Sequence, residues 1–420
     1  MSAVGGVAGP SNSRPRRGLW AAVAVVLVAL NLRPTIVAVS PLLDELSVDL
    51  ALTGSTAGLL MTLPVLCFGA LGPLAPVLAR RFGFERALAL VLVLIVIGSA
   101  VRLHPSVWGL FAGTLFIGAG IAFGNILLPA LIKRDFPDRV GLMSGLFSMS
   151  LTGGATLAAG ITLPIARAAG LDWNVALAAW GLFALAALVC WVPYLRSAIA
   201  HAIVRRGAAG PLTRDRVAWW VTAFFGIQSI NFYSMTAWLP TLLIASGSDA
   251  VFAGLMLSLV NLVAIPAATL APVLAGRLAN QAALVAWTGV FYVAGLGGLI
   301  WAIDLAPLWV ALLGIGQGAT IGLALTLIVL RSPDSNVATN LSSMAQSWGY
   351  LFAAAGPLAL GLLNDVTGAW FWPLVVLLVL VVPQSVTGYF AGLPRTVTPA
   401  SGPDTLGEDA GSGSAAKEQL

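Results

Sequence analysis

Charge is scarce in this chain. Of 420 residues only 9% are Asp, Glu, Lys or Arg, whereas 59% are hydrophobic and the mean hydropathy is +0.96. A soluble globule carries about 25% charged residues, so this composition excludes a water-exposed surface over the whole chain. Cysteine is nearly absent as well. Cys67 and Cys190 both lie inside apolar runs, which argues against a disulfide or a thiolate metal site. The two histidines, His104 and His201, fall between apolar runs and read as solvated loop residues. All 16 Asp and Glu lie in loops, at the ends of apolar runs or in the tail. With no HExxH, no GxSxG and no His/Asp/Glu pair inside an apolar run, the sequence offers no machinery for a membrane enzyme. The stretch "GAGIAFG" at 118–124 looks like a nucleotide loop only superficially, because no strand precedes it. No cofactor is implied, and the polar segments are too short for the output domain of a receptor.

Long apolar runs are what the chain does have. Windows of about twenty apolar residues predict twelve membrane spans near 18–41, 54–79, 86–103, 106–131, 140–164, 173–195, 217–243, 250–274, 282–303, 306–330, 338–363 and 370–392. Residues 1–17 and 394–420 read as disordered termini and 196–216 as a linker, leaving six-helix bundles over 18–195 and 217–393. The first span is too long, and lacks the small-residue cleavage site, for a signal peptide; it reads as a retained helix.

A repeat supports the division. "AGLLMTL" at Ala57–Leu63 returns as "AGLMLSL" at Ala253–Leu259, and "LAPVLARRFGFERAL" at Leu74–Leu88 returns as "LAPVLAGRLANQAAL" at Leu270–Leu284. Both matches have one offset, 196 residues, so the fold class is all-α, two six-helix halves in parallel repeat. Such paired halves enclose a midplane site that opens alternately to either side.

The basic residues are distributed asymmetrically. Of the 21 Lys and Arg, 18 fall in the termini, the linker and the loops after even-numbered spans. Only Arg102 and Arg167 fall on the other side, which holds Asp44, Glu45, Asp49, Asp172, Asp249, Asp304 and Asp365. The positive-inside rule therefore predicts a multi-pass inner (plasma) membrane protein with cytoplasmic termini and linker. The net charge of +5 is a topology signal and implies no nucleic-acid partner. The expected partners are the lipid bilayer and a small-molecule solute, with the protein a monomer.

The remaining basic residue is Arg33, within "NLRPT" in the first span. It lies roughly 22 Å from the start of that span at ~1.5 Å per residue, past the middle of a ~30 Å hydrocarbon layer. A buried guanidinium keeps its charge and costs several kcal/mol, so it needs a partner. The sequence offers no carboxylate at that depth unless Asp44 or Glu45 folds back. The bland alternative is a guanidinium satisfied by backbone carbonyls freed at Pro34.

The loop "LARRFGFER" after Gly72 carries Arg81, Gly83 and Arg86 in the register of the signature that joins spans 2 and 3 in the major facilitator superfamily, which the chain resembles over nearly its whole length. Arg80 stands where the family aspartate usually is, a departure from the usual inter-half ion pair. Arg277 occupies the repeated loop. "NLRP", "GNILLPALIKRDFP" at Gly124–Pro137 and "QSINFYSMTAWLP" at Gln228–Pro240 resemble the cyanate and 2-nitroimidazole transporter family. That resemblance implies transport of cyanate- or nitroimidazole-like solutes, with Arg81, Gly83, Arg86 and Arg277 in gating loops.

Polar residues sorted by depth form a layer with Arg33. They are Asn31, Gln228, Asn231, Asn261, Gln317, Gln346 and Tyr350, with Asn125 nearer the cytoplasmic end. Gln228 and Asn231, three apart, share a helix face, as do Gln346 and Tyr350, four apart. Lipid-facing amides are costly, so these faces are expected to turn inward and, with Trp348 as a wall, bind the solute. Taken singly, each amide could instead make an interhelical hydrogen bond. Gly120/Gly124 and Gly314/Gly318/Gly322 have the spacing that lets helices approach closely. The expected function is a secondary transporter of a small anionic or strongly polar solute (cyanate-, nitrite- or nitroimidazole-like), with Arg33 as the charge partner. A proton-coupled multidrug or metabolite exporter is the alternative; such proteins are usually coupled through intramembrane carboxylates.

The topology has a direct test. With both native cysteines replaced by Ala, a cysteine at Thr213 is expected to resist a membrane-impermeant thiol reagent in intact cells. One at Ser248 is expected to react. Labelling of position 213 from outside would reverse the orientation.

Overall fold

The computed structural model describes residues 14–52, 54–199 and 212–398. The segments 1–13, 200–211 (with His201) and 399–420, read above as disordered or linker, lie outside the described residues. Every regular element among the described residues is helical. The twelve spans are Arg14–Leu30 continued by Pro34–Val37, Gly54–Leu71 continued by Ala75–Phe82, Phe84–Val101, Val107–Asp135, Val140–Ala169, Trp173–Ile199, Arg216–Ala245, Ala250–Ala275, Ala282–Trp301, Ala306–Leu330, Ser335–Thr367 and Phe371–Ala391. Ten are long and apolar enough to cross a membrane. The other two, spans 7 and 11, are long enough at 30 and 33 residues but less apolar. They carry Gln228, Ser229, Asn231 and Ser234, and Ser342, Ser343, Gln346 and Ser347, all buried against protein rather than lipid.

Span 1 is not the continuous helix that its hydropathy suggests. It breaks over residues 31–33 and resumes for one turn at Pro34. A proline disfavours helical geometry in the residue before it and has no N–H to continue the ladder. Arg33 accordingly sits at φ −127°, ψ −38°, as the N-cap of that turn. The described helix and backbone contacts extend a little beyond the predicted bundles. Helix begins at Arg14, and the first tail residues lie along the second half: Val397 N–H donates to the Arg331 carbonyl at 2.8 Å and Thr398 N–H to Asp215 at 2.9 Å.

The packing repeats as the sequence does. Spans 3 and 4, 3 and 6, 2 and 4, and 1 and 5 pack together in the first half; spans 9 and 10, 9 and 12, 8 and 10, and 7 and 11 do so in the second. The halves meet chiefly through span 5 on span 8 and span 2 on span 11, with spans 4 and 10 alongside. Small residues make these contacts close. A Cβ on Gly141 would lie 2.7 Å from the Pro272 carbonyl oxygen and 2.8 Å from Gly276 Cα, and one on Gly145 would lie 2.7 Å from the Thr269 carbonyl.

These seams lie near the face that carries the basic loops. There Ser343 donates to the Gly72 carbonyl at 3.0 Å, and Gln346 Nε2 donates to the Asn125 carbonyl at 2.9 Å. Past Gly145, spans 1, 5 and 8 part around an apolar cleft of about 320 Å³ lined by Val26, Leu30, Met149, Gly153, Leu157 and Ile265.

A wedge in that seam should open it. In Gly141→Leu, a cysteine placed at Asn125 is expected to gain reactivity toward a small water-soluble thiol reagent by about tenfold or more, a shift of the kind a few kcal/mol of steric cost produces. Unchanged reactivity would show that the Gly141–Gly276 contact does not hold the face shut.

Candidate functional site

At the level of the break in span 1, Arg33 is half-buried and points across to the second half. Its only described hydrogen bond is a long one, from NH1 to the Tyr233 hydroxyl at 3.5 Å. The Tyr350 hydroxyl is the second oxygen that interacts with the guanidinium. Tyr350 is held by an aromatic cluster: Phe68 at 5.2 Å between ring centroids, Phe225 at 5.4 Å and Tyr233 at 6.3 Å. Ion pairs among the described side chains occur only around Arg134, so none reaches Arg33. Nor do carbonyls freed by Pro34 satisfy it. A guanidinium has five N–H donors, and among the described residues most of them have no hydrogen-bond acceptor.

The amides predicted to share this layer divide into two groups. Some bond to their own helix or to a neighbour: Asn31 Nδ2 donates to the Leu27 carbonyl at 2.8 Å, and Asn261 Nδ2 to the Leu257 carbonyl at 3.0 Å. Gln228 Nε2 donates to Ser229 Oγ at 2.8 Å, and Asn231 Nδ2 bridges spans 7 and 12 through Gln384 Oε1 at 2.7 Å. Others keep buried atoms without a partner: both amide atoms of Asn125 and of Gln317, and the carbonyl oxygens of Gln228, Asn231 and Gln346. A buried unsatisfied polar atom costs about 1–3 kcal/mol; of these amides, Asn125 and Gln346 meet across the halves.

The structure does not bring Trp348 to this group. It is 45% exposed and stacked on Phe352 at 6.0 Å. Two residues from Gln346 and from Tyr350 is about 200° around the helix, so it faces away from both. Sequence reasoning missed Tyr233, Phe68, Phe225 and Gln384. Tyr233 lay inside a motif already singled out, five residues after Gln228; the two phenylalanines carry no signal that separates them from ordinary core.

The family model for the Major Facilitator Superfamily matches residues 19–357. The chain belongs to this superfamily. It is 38% identical to the 2-nitroimidazole transporter of Escherichia coli (strain K12) over 379 residues, covering 89% of this chain and 95% of that protein. It is 32% identical to the cyanate transport protein CynX of the same organism over 346 residues, covering 82% and 90%. The fold matches that of the proton:xylose symporter XylE bound to 6-bromo-6-deoxy-D-glucose with a TM-score of 0.73, at 13% identity, over 90% of this chain and 97% of that one. The protein is a membrane transporter of the major facilitator type, not an enzyme.

The superfamily loop between spans 2 and 3 is built around Gly83, at φ +80° and ψ 160°, a region essentially closed to other residues. Arg81 lies over the Phe82 ring at 5.6 Å, while Arg86 and Arg277 are exposed. The ion pairs among the described residues on this face lie within the first half. Arg134 pairs with Glu85 at 2.6 Å and with Asp135 at 2.5 Å, and the Tyr194 hydroxyl donates to Asp135. At the repeat offset Glu85 becomes Gln281, which accepts from a buried Arg331; Arg331 Nε donates to the Ala391 carbonyl at 2.9 Å.

Gly83→Ala isolates the backbone requirement, because the added Cβ would meet nothing closer than Glu85 Oε2 at 3.5 Å. The expected loss is about 1–3 kcal/mol of stability from strained φ/ψ alone, read as a lower melting temperature in detergent. An unchanged melting temperature would mean that the loop relaxes freely.

Proposed function

We propose that the protein is a secondary transporter of a small anionic or strongly polar solute, with Arg33 as its charge partner and the hydroxyls of Tyr233 and Tyr350 completing the site. The observation that carries this reading is a half-buried guanidinium with most of its donors unused and no carboxylate among its described neighbours. A fixed positive fork in a low-dielectric site favours a compact ligand with electron-rich acceptor atoms. Cyanate and 2-nitroimidazole, the solutes in the two relatives' names, both have that character. Gln317 and Asn261 complete the proposed layer, while Asn31 and Asn231 serve mainly to hold their helices.

The site bridges the halves, Arg33 from the first and both tyrosines from the second. A bound solute therefore interacts with both at once and draws them together, which is how alternating access is coupled to occupancy. We assign the orphaned amides of Asn125 and Gln346 to the route that opens when the basic face parts and water reaches them. Gly83, Arg81, Arg86 and Arg277 belong to the loops that move then. The placement in the inner membrane with cytoplasmic termini, and a monomeric transport unit, complete the proposal.

Binding of cyanate, nitrate, benzoate and 2-nitroimidazole, by thermal shift and calorimetry, tests the assignment. Arg33→Gln is expected to fold and to bind the tightest of these roughly 10- to 100-fold more weakly, from a charge-assisted hydrogen bond of about 1.5–3 kcal/mol. Arg33→Lys is expected to keep the charge but lose the forked geometry and impair transport. Near-native binding by a well-folded Arg33→Gln protein would remove Arg33 from the site.

A further inference from the structure

Arg102 ends span 3, a position that reads as an outer loop, yet it is 0% exposed. Its surroundings are shaped for it. Gly98 and Gly113 pack backbone to backbone, and a Cβ on Gly113 would lie 2.7 Å from Arg102 Cγ, so the two glycines make room for the stem. At the far end NH1 donates to the Thr35 carbonyl at 2.6 Å and NH2 to Thr114 Oγ1 at 2.7 Å. The Thr114 hydroxyl donates in turn to the Leu110 carbonyl at 2.7 Å, which orients its lone pairs toward the guanidinium. Nε has no partner, and the described ion pairs include no carboxylate for this charge.

Thr35 lies two residues after Arg33, in the single turn that follows the break. In an uninterrupted helix its carbonyl would accept the N–H of Val39. Here Ala38 N–H goes to Pro34 at 2.9 Å, and Val39 N–H slips to Ile36 at 3.2 Å. The turn thus ends with the Thr35 carbonyl lacking a backbone donor, and Arg102 supplies one.

We propose that Arg102 is a positioning residue: it caps the carbonyl left open where the turn after Pro34 ends and so fixes the backbone that presents Arg33. A turn of four residues is too short to be stable alone, and its N-cap Arg33 has no side-chain cap. Tied to spans 3 and 4 through one guanidinium, the turn moves with the first half as a rigid unit. The solute-binding part of this inference rests on the reading of Arg33 given above; the anchoring of the turn does not.

Two measurements test it, each on Arg102→Met and on Arg102→Lys, which retains one charged donor. The first is hydrogen–deuterium exchange. Amides of the segment 36–39 are expected to exchange about tenfold faster or more in Arg102→Met, with partial recovery in Arg102→Lys and no change in spans 9 and 10. Unchanged protection at 36–39 would overturn the proposal. The second is a double-mutant cycle on anion affinity, with cyanate, nitrate and benzoate as probes. Arg102→Met is expected to weaken binding about tenfold when Arg33 is present and less than about twofold in the Arg33→Gln background, because the effect passes through Arg33. Equal losses in both backgrounds would mean general destabilisation and sink the positioning role. Near-native binding by Arg33→Gln itself would instead overturn the anion reading of Arg33, and the exchange experiment would still decide whether Arg102 holds the turn.

Discussion

A positive charge held at mid-depth without a counter-charge among the described side chains is the constraint on which this structure depends. Placing an arginine in a span costs several kcal/mol, and a carboxylate partner would have offset that cost permanently. This chain has no acid at that depth. The guanidinium is presented instead from a broken helix, opposite two tyrosine hydroxyls that belong to the other half. On the reading proposed above, the charge is kept available and the interaction that would satisfy it is left to a ligand.

The same economy governs the gate. The halves are joined on the basic face by glycine contacts and by hydrogen bonds that use backbone carbonyls, Gly72 for Ser343 and Asn125 for Gln346. Neutral bonds of this kind between membrane helices contribute about 0.6 kcal/mol each on average, while several amide atoms beside them remain unpaired. A seam both close-packed and incompletely satisfied is easily reversed.

Much of the architecture was legible in the sequence because hydropathy, the 196-residue repeat and the side preference of arginine are properties of whole segments. Arg33 was legible for the opposite reason, as a single residue that violates the pattern around it. What escaped was decided by direction and by backbone. Pro34 marks a break, but only the geometry shows that the turn after it ends with the Thr35 carbonyl unpaired by the backbone. Arg102 stands at a span end, where an arginine is ordinarily solvated, and its partners are a threonine hydroxyl and a main-chain oxygen, which leave no trace in composition. Trp348 was placed in the site by type, although its position two residues from Gln346 and Tyr350 turns it outward. Spans 7 and 11 were found at the cost of apparent hydropathy, since the residues that weaken their membrane signal are those they bury between helices.

The central claim, that Arg33 is an unpaired charge reserved for an anionic ligand, is tested most directly on the unaltered protein with two ligands of nearly equal shape. Calorimetric titration of benzoate and of benzamide separates charge from size and planarity. The account predicts that the carboxylate binds at least about tenfold more tightly than the amide, the difference a charge-assisted hydrogen bond makes over a neutral one. Equal affinities for the two would contradict it.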